Sequence, residues 1–130
     1  MSVMYREPSI IKKSKDGRVA AVDMASELLN SRVLLLEGEV NDLTCNGLIK
    51  SMLVLEHQSA TEPITLIINS PGGSVTAGLA LIDTMQSLDC PVITVGEGVV
   101  ASMAAVILAC GDLKREYLEF LVTMARCPLL

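Results

Sequence analysis

Two short segments of the sequence combine residue types that suit nucleophilic chemistry. Ser70-Pro71-Gly72-Gly73 follows an apolar run at residues 64–68, and Ala101-Ser102-Met103 follows a second apolar run at residues 92–95. Each segment leads from a strand-like run into a helix-like pattern, where free main-chain N–H groups and the helix dipole attract an anion. A serine at such a helix start, beside a second set of free N–H groups, is the arrangement of a nucleophile with an oxyanion hole.

Each segment also has a purely structural interpretation. Gly72-Gly73 is typical of a tight turn, and a serine such as Ser102 at a helix start is more often an N-cap than a nucleophile. Neither Ser70 nor Ser102 lies in a G-x-S-x-G pattern, so an α/β-hydrolase elbow is not supported. The phosphate-binding patterns G-x-x-x-x-G-K-[ST] and G-x-G-x-x-G are both absent. The residues alone therefore indicate two candidate anion-binding strand ends, with both interpretations open.

Strands and helices alternate along the part of the chain that must position these segments. The pattern predicts strands at 33–36, 64–68 and 92–95, and helices at about 43–57, 75–88 and from Ala101 onward. Either Asn41 or Asp42 is expected to cap the first of these helices. Continuous apolar strands that alternate with helices indicate a parallel sheet covered on both faces. The 130 residues suit a single α/β domain.

The helical spacing also predicts which side chains face the core. On the first of these helices they are Leu48, Ile49, Met52, Leu53 and Leu55. On the second they are Val75, Leu79, Ile82, Met85 and Leu88. Met52, Met85 and Met124 are expected to fill gaps in the core.

Weaker patterns flank this region. Asp16-Gly17 predicts a hairpin turn, and Asp23 predicts the cap of a short helix. After Gly111 the alternation weakens, although residues 116–124 are compatible with one more strand. His57, at the end of its helix, is expected to be a solvated side chain that favours the helix C-terminus.

The composition excludes several classes of function. The net charge is −5 and aromatic residues make up 2% of the chain. The chain therefore offers neither a basic surface for phosphate backbones nor a stacking surface for nucleic-acid bases. The four cysteines are widely spaced and His57 is the only histidine, which argues against a zinc site. We expect no metal, no cofactor and no nucleic-acid partner.

The same features bear on location. Residues 1–6 lack the apolar core of a signal peptide, and the longest apolar run, residues 99–110, is too short to span a bilayer. Scattered cysteines without a secretion signal indicate buried thiols in a reducing compartment. The sequence thus predicts no membrane association and a cytoplasmic location.

Several of these segments together resemble the proteolytic subunit of the Clp peptidase family. The resemblance extends from about Pro8 to Gly111. It is carried by four segments: LEGEVND at 36–42, INSPGGSVTAG at 68–78, DTMQ at 83–86 and ASM at 101–103. Gly73 and Ser102 also lie at the separation that the family shows, and the segments occur in the family's order.

This resemblance implies a role for each candidate residue. Ser102 corresponds to the catalytic nucleophile, and the N–H groups of Gly73 and Met103 correspond to the oxyanion-hole donors. Pro71 and Gly72 correspond to the groove in which an extended peptide substrate adds as a strand. The implied activity is that of a serine endopeptidase, a hydrolase that degrades unfolded polypeptides in ATP-dependent proteolysis.

The resemblance also implies a fold and an assembly. The implied fold is an α/β, Clp/crotonase-like superhelix of βαβ units, incomplete at the C-terminus. Residues 1–23 correspond to an axial hairpin, residues 24–111 to the family-like core and residues 112–130 to a divergent tail. The implied partners are like subunits in a homo-oligomer of two stacked seven-membered rings, and an AAA+ unfoldase that feeds in substrate.

The tail departs from the family pattern where the rest of the triad is expected. Arg126 falls at the position of the family's histidine if one residue is missing near Asp112-Leu113, and an arginine cannot serve as a general base at neutral pH. The expected aspartate, and the elements that mesh the two rings, fall beyond Leu130. We therefore expect this chain to lack a working triad and not to form the double ring alone.

Several explanations of this departure stay open. The chain is a truncated or frameshifted product, a dedicated inactive ring subunit, or an enzyme that uses a lysine such as Lys114 as its base. A function from another class is also open, because crotonase-like relatives hold an acyl-CoA thioester between equivalent strand ends. A binding-only role as an adaptor is the last alternative.

Overall fold

Three parallel strands lie side by side at the centre of the structure. The computed structural model describes residues 6–112. In chain order its elements are β1 (Ile10–Lys13), β2 (Val19–Val22), α1 (Met24–Asn30), β3 (Val33–Glu37), α2 (Asp42–Gln58), β4 (Ile64–Ser70), α3 (Val75–Ser87), β5 (Val92–Val100) and α4 (Met103–Ala109). Strands β3, β4 and β5 pair in that order and in parallel, with α2 and α3 as the connections. The predicted parallel α/β architecture of successive βαβ units is confirmed.

Strand β5 is longer than the prediction of 92–95. Ile68 pairs with Gly96, but the next pair joins Ser70 to Val100, so β5 carries extra residues in a β-bulge. The Asn69 side chain supplies a partner inside the bulge, because its Oδ1 accepts a hydrogen bond from the Val99 N–H at 3.2 Å. The prediction that this strand ends at Val95 is therefore wrong, since a bulge absorbs glycines without ending the strand. The bulge fixes where β5 leaves the sheet.

The buried face of α3 differs from the predicted one. Ile82 and Met85 are buried as predicted, but Val75 is 60% exposed and Leu79 is 46% exposed. The other buried residues of this helix are Ala77, Gly78 and Leu81. Helices that pack closely need small residues at the contact. The buried face of α3 therefore includes Ala77 and Gly78, whereas the prediction had chosen the larger Val75 and Leu79.

The other core predictions hold in part. On α2, Leu48, Met52 and Leu55 are buried as predicted, whereas Leu53 is 51% exposed. On β3, Leu35 is 38% exposed, so this strand is not buried on both faces. Alternate residues of a strand point to opposite faces, and only one face of β3 is covered within residues 6–112. Met124 lies outside the described residues.

The predicted turn and helix caps are confirmed. Strands β1 and β2 form an antiparallel hairpin around Asp16-Gly17. The Asp23 carboxylate accepts the Ser26 N–H at the start of α1, and this hydrogen bond lowers the pKa of Asp23. Asn41 caps α2 in a reciprocal pair with Thr44, in which each side chain accepts the other residue's main-chain N–H.

Arg32 forms hydrogen bonds that connect the C-terminal end of α2 to the amino edge of the sheet, where the parallel strands begin. Its guanidinium donates hydrogen bonds of 2.8–3.2 Å to the carbonyl oxygens of Leu55, Pro63, Ser59 and Glu62. Since Arg32 directly precedes β3, the end of α2 that carries His57 lies at this amino edge. Ser102 lies two residues after Val100, the last residue of β5, and belongs to the opposite edge.

The thiols follow the expectation as far as they are described. Cys45 and Cys90 are buried, and Cys110 is half-buried. Burial raises the pKa of the Cys45 thiol, which keeps it protonated and unreactive. Cys127 lies outside the described residues. Among residues 6–112, no helix is both long enough and apolar enough to cross a membrane.

Candidate nucleophile and oxyanion site at the carboxyl edge of the sheet

The segment after β4 is held by hydrogen bonds on both sides of Gly73. The Gly72 N–H donates to the Ser70 hydroxyl at 3.1 Å, and the Ser74 N–H donates to the Val40 carbonyl at 2.7 Å. Val40 in turn donates its N–H to the Gly72 carbonyl at 2.9 Å. Gly73 and Val40 thus form an isolated parallel bridge in which the Gly73 N–H takes no part.

Gly72 and Gly73 cannot be replaced by larger residues without movement of the main chain. A Cβ on Gly72 would lie 2.7 Å from the Ser102 Cβ and 2.8 Å from the Ala101 carbonyl oxygen. A Cβ on Gly73 would lie 2.3 Å from the Val40 carbonyl oxygen. Both glycines also have positive φ angles, 99° and 152°. The interpretation of Gly72-Gly73 as only a tight turn is therefore insufficient, because the glycines also permit contact between three chain segments.

The segment after β5 brings Ser102 to the same edge. The Ala101 N–H donates to the Ser70 carbonyl at 3.1 Å, which fixes the exit of β5 against the end of β4. Ser102 then turns the chain sharply, with φ 54° and ψ −128°, and α4 begins at Met103. Positive φ is unfavourable for a serine, and such strain persists only where the surrounding structure enforces it.

The interpretation of Ser102 as an N-cap is wrong. Its side chain accepts no capping hydrogen bond from α4 within the described part of the chain, although the residue holds the N-cap position. The side chain is instead exposed. An exposed serine on a strained strand-to-helix turn is the geometry that presents a nucleophilic hydroxyl in hydrolases.

The main-chain N–H groups of Gly73 and Met103 are both available. Neither donates a hydrogen bond to another residue between 6 and 112. The Met103 nitrogen lies 3.1 Å from the position that a Cβ on Gly72 would take, so both donors flank the contact between Gly72 and Ser102. The structure thus brings together Ser102, Met103, Gly72 and Gly73, with Pro71 exposed beside them.

The described residues place no histidine at this site. His57, the only histidine of the sequence, is exposed at the amino edge of the sheet. The length of β4, seven residues or about 20 Å, separates the two edges. Arg126 and Lys114, which were considered as occupants of the base position, lie outside the described residues. Within residues 6–112 no three His, Cys, Asp or Glu residues are grouped closely enough to hold a metal ion.

Three residues have a positional role that the sequence analysis did not assign to them. Ser70, Val40 and Asn69 hold the Gly72-Gly73 turn and the bulge of β5 through the bonds described above. A signal existed only for Ser70, because Ile64, Leu66 and Ile68 alternate along β4 and the next position on their buried face is Ser70.

The fold and this edge define a parallel α/β protein with a strained serine turn between β5 and α4, and comparison with known proteins identifies the family. The family model described as "Clp protease" matches residues 15–129. An "ATP-dependent Clp protease proteolytic subunit" of Leuconostoc citreum (strain KM20) is 42% identical over 105 residues, which are 81% of this chain and 52% of that protein. The chain belongs to the Clp protease family, and it spans about half the length of this curated relative.

The close approach of Gly72 predicts a large difference between two glycine-to-alanine variants. Gly72→Ala is expected to destabilise the protein by about 3 kcal/mol, because the new Cβ meets Ser102 and the φ angle is positive. Gly47→Ala, in α2 with open space around it, is expected to stabilise by about 0.5–1 kcal/mol. Urea unfolding measures both values, and equal effects of the two variants would contradict the close contact.

The strain at Ser102 predicts an unusual order of stabilities. Ser102→Gly is expected to be more stable than Ser102→Ala by about 1 kcal/mol, because only glycine adopts this φ without strain. At Ser51, inside α2, the order reverses, and alanine is more stable than glycine by about 1 kcal/mol. Thermal unfolding of the four variants tests whether glycine is the more stable substitution at residue 102 and alanine the more stable one at residue 51. An alanine preference at both positions would mean that Ser102 is unstrained.

Proposed function

We propose that this chain carries the nucleophile and oxyanion half of a Clp-type serine endopeptidase site, acting on extended polypeptide. The observation that carries the proposal is Ser102 itself, an exposed serine at φ 54° in contact with Gly72. Among residues 6–112, its side chain accepts no capping bond and the adjacent Met103 N–H has no acceptor. A residue that merely began a helix would gain from a capping bond and a relaxed backbone.

Each residue has a distinct role in this proposal. The Ser102 hydroxyl oxygen attacks the scissile carbonyl carbon, and the carbonyl oxygen becomes an oxyanion. The N–H groups of Gly73 and Met103 donate to that oxyanion, and such donors are worth about a hundredfold or more in rate. Pro71 and Gly72 line the groove for the extended substrate. Main-chain donors suit this purpose because they are already oriented before the reaction.

The proton of Ser102 needs an acceptor that residues 6–112 do not place at the site. A serine hydroxyl is a weak nucleophile until a base removes its proton. His57 lies at the opposite edge of the sheet, and Arg126 is no base at neutral pH. We therefore propose that residues 6–112 supply no triad base to Ser102 and that Ser102 reacts slowly unless a base is supplied.

The partners are proposed from the relative and from the exposed apolar surface. The relative is named as the proteolytic subunit of an ATP-dependent Clp protease. The proposed partners are like subunits in a seven-membered ring and an AAA+ unfoldase, and the proposed location is the cytoplasm, as the family resemblance implies. Exposed apolar side chains on α2 and α3 support contact with like subunits, because Leu43 is 84% exposed and Val75 is 60% exposed. The hairpin β1–β2 is the proposed axial segment of residues 1–23.

A fluorophosphonate probe tests the nucleophile. The Ser102 oxygen bonds to phosphorus, fluoride leaves, and the hydroxyl proton goes to a base. The purified chain is expected to react slowly alone and faster with added imidazole, with a rate that saturates as imidazole is raised. Intact-mass spectrometry follows the adduct, and peptide mapping locates it.

Two variants serve as controls for this labelling. Ser102→Ala should abolish the adduct, and His57→Gln should leave the rate unchanged, since His57 lies at the other edge. Fast labelling without imidazole that is lost in His57→Gln would overturn the assignment of a missing base. Labelling that persists in Ser102→Ala would overturn the assignment of the nucleophile.

Sedimentation of the purified chain tests the subunit contact. Association that rises with concentration is expected, and Leu43→Glu or Val75→Glu should shift the population toward monomer. A carboxylate is tolerated in the first turn of a helix, so these variants are expected to fold. Asn46→Glu, exposed on α2, is the matched control and should associate like the parent. A parent chain that stays monomeric at high concentration contradicts the proposal.

A further inference from the structure

Within residues 6–112, Ser70 forms hydrogen bonds both to the turn that contains Gly73 and to the residue that precedes Ser102. Its hydroxyl accepts the Gly72 N–H at 3.1 Å, and its carbonyl accepts the Ala101 N–H at 3.1 Å. The first bond holds the turn that contains Gly73. The second bond holds the residue that precedes Ser102. The positions of Ser102 and of the Gly73 N–H therefore both depend on hydrogen bonds to Ser70, at the end of β4.

The hydroxyl of Ser70 is unusual for its position in the strand. The residue is fully buried, at 0% exposure, and continues the buried row of Ile64, Leu66 and Ile68. Burial of a polar group is unfavourable unless it is hydrogen-bonded, and an apolar residue would suit this row better for packing alone. The bond to the Gly72 N–H accounts for the hydroxyl, because Gly72 is itself buried and its N–H would otherwise lack an acceptor.

We propose that Ser70 is a positioning residue for the oxyanion hole, an inference that rests on the proposed peptidase function. With the Gly72 N–H bound to Ser70 and the Ser74 N–H bound to Val40, the intervening Gly73 N–H is the one left to face an oxyanion. Glycine permits many main-chain orientations, so the turn needs an external restraint to keep one. The Ser70 hydroxyl supplies that restraint from the protein interior.

A second buried hydroxyl in the same sheet provides a matched control. Thr94 in β5 is 2% exposed, and its hydroxyl donates to the Leu108 carbonyl at 2.7 Å. Thr94→Val and Ser70→Ala each remove one buried hydroxyl-to-main-chain bond, with a similar expected loss of a few degrees in Tm. Of the two hydroxyls, only that of Ser70 bonds to the turn that contains Gly73.

The test is the imidazole-assisted fluorophosphonate labelling rate of Ser102 in the parent and the variants. Ser70→Ala is expected to lower this rate about tenfold to a hundredfold, since a slight misplacement of an oxyanion donor has a large effect. Thr94→Val is expected to leave the rate within about twofold of the parent, because Thr94 bonds to Leu108 in the last turn of α4, more than one helical turn from Met103. Equal rates in the two variants would overturn the positioning role.

Ser70→Thr separates positioning from stability. Threonine keeps the hydroxyl acceptor but adds a methyl group to a packed interior, so Tm should fall while the labelling rate stays near that of the parent. If Ser70→Ala does not fold, Ser70→Cys replaces it, because sulfur is a weak acceptor and fills the same space. If the labelling rate of Ser102 falls in proportion to Tm across these variants, Ser70 has no positioning role. Absence of Ser102 labelling in the parent would instead defeat the proposed function.

Discussion

The candidate site depends on the close approach of the main chain at Gly72 to Ser102. No Cβ fits between them, since one on Gly72 would lie 2.7 Å from the Ser102 Cβ. This contact joins two segments that are far apart in sequence, at the ends of neighbouring parallel strands. The strand register makes the contact possible, because the pair Ser70–Val100 aligns both exits from the sheet. A parallel sheet therefore builds this edge from the ends of separate strands, as α/β proteins commonly do.

The register of β4 and β5 at this edge is set by the β-bulge in β5. Without the bulge opposite Asn69, β5 would leave the sheet earlier, and Ser102 would not meet Gly72. The extra residues also change the direction in which the chain leaves the strand, which is a known effect of bulges beside active sites. The positive φ of Ser102 is then the result of a tertiary constraint, because the chain must enter α4 directly after this exit.

The sequence carried the architecture but not the details of the site. Strand and helix positions followed from apolar periodicity, and caps such as Asn41 followed from side-chain chemistry. The prediction of the buried face of α3 was wrong because it chose the large residues Val75 and Leu79, whereas the small residues Ala77 and Gly78 are the ones buried. The cap interpretation of Ser102 was wrong because local preference carries no information about contacts between distant segments. Bulge geometry is likewise set by pairing between strands, which one segment alone does not encode.

The two halves of a serine peptidase site are encoded in different ways. The proposed oxyanion donors are the main-chain N–H groups of Gly73 and Met103. Donors of this kind depend on backbone shape, so most substitutions of side chains leave them in place. A catalytic base is one side chain, and a single change removes it. The fold described here holds Ser102 in its strained turn through β4, β5 and the glycine contact, none of which involves a base. The geometry around Ser102 is therefore independent of whether a base is present. In serine peptidases generally, a site without its base retains only the part of catalysis that comes from oriented donors and binding.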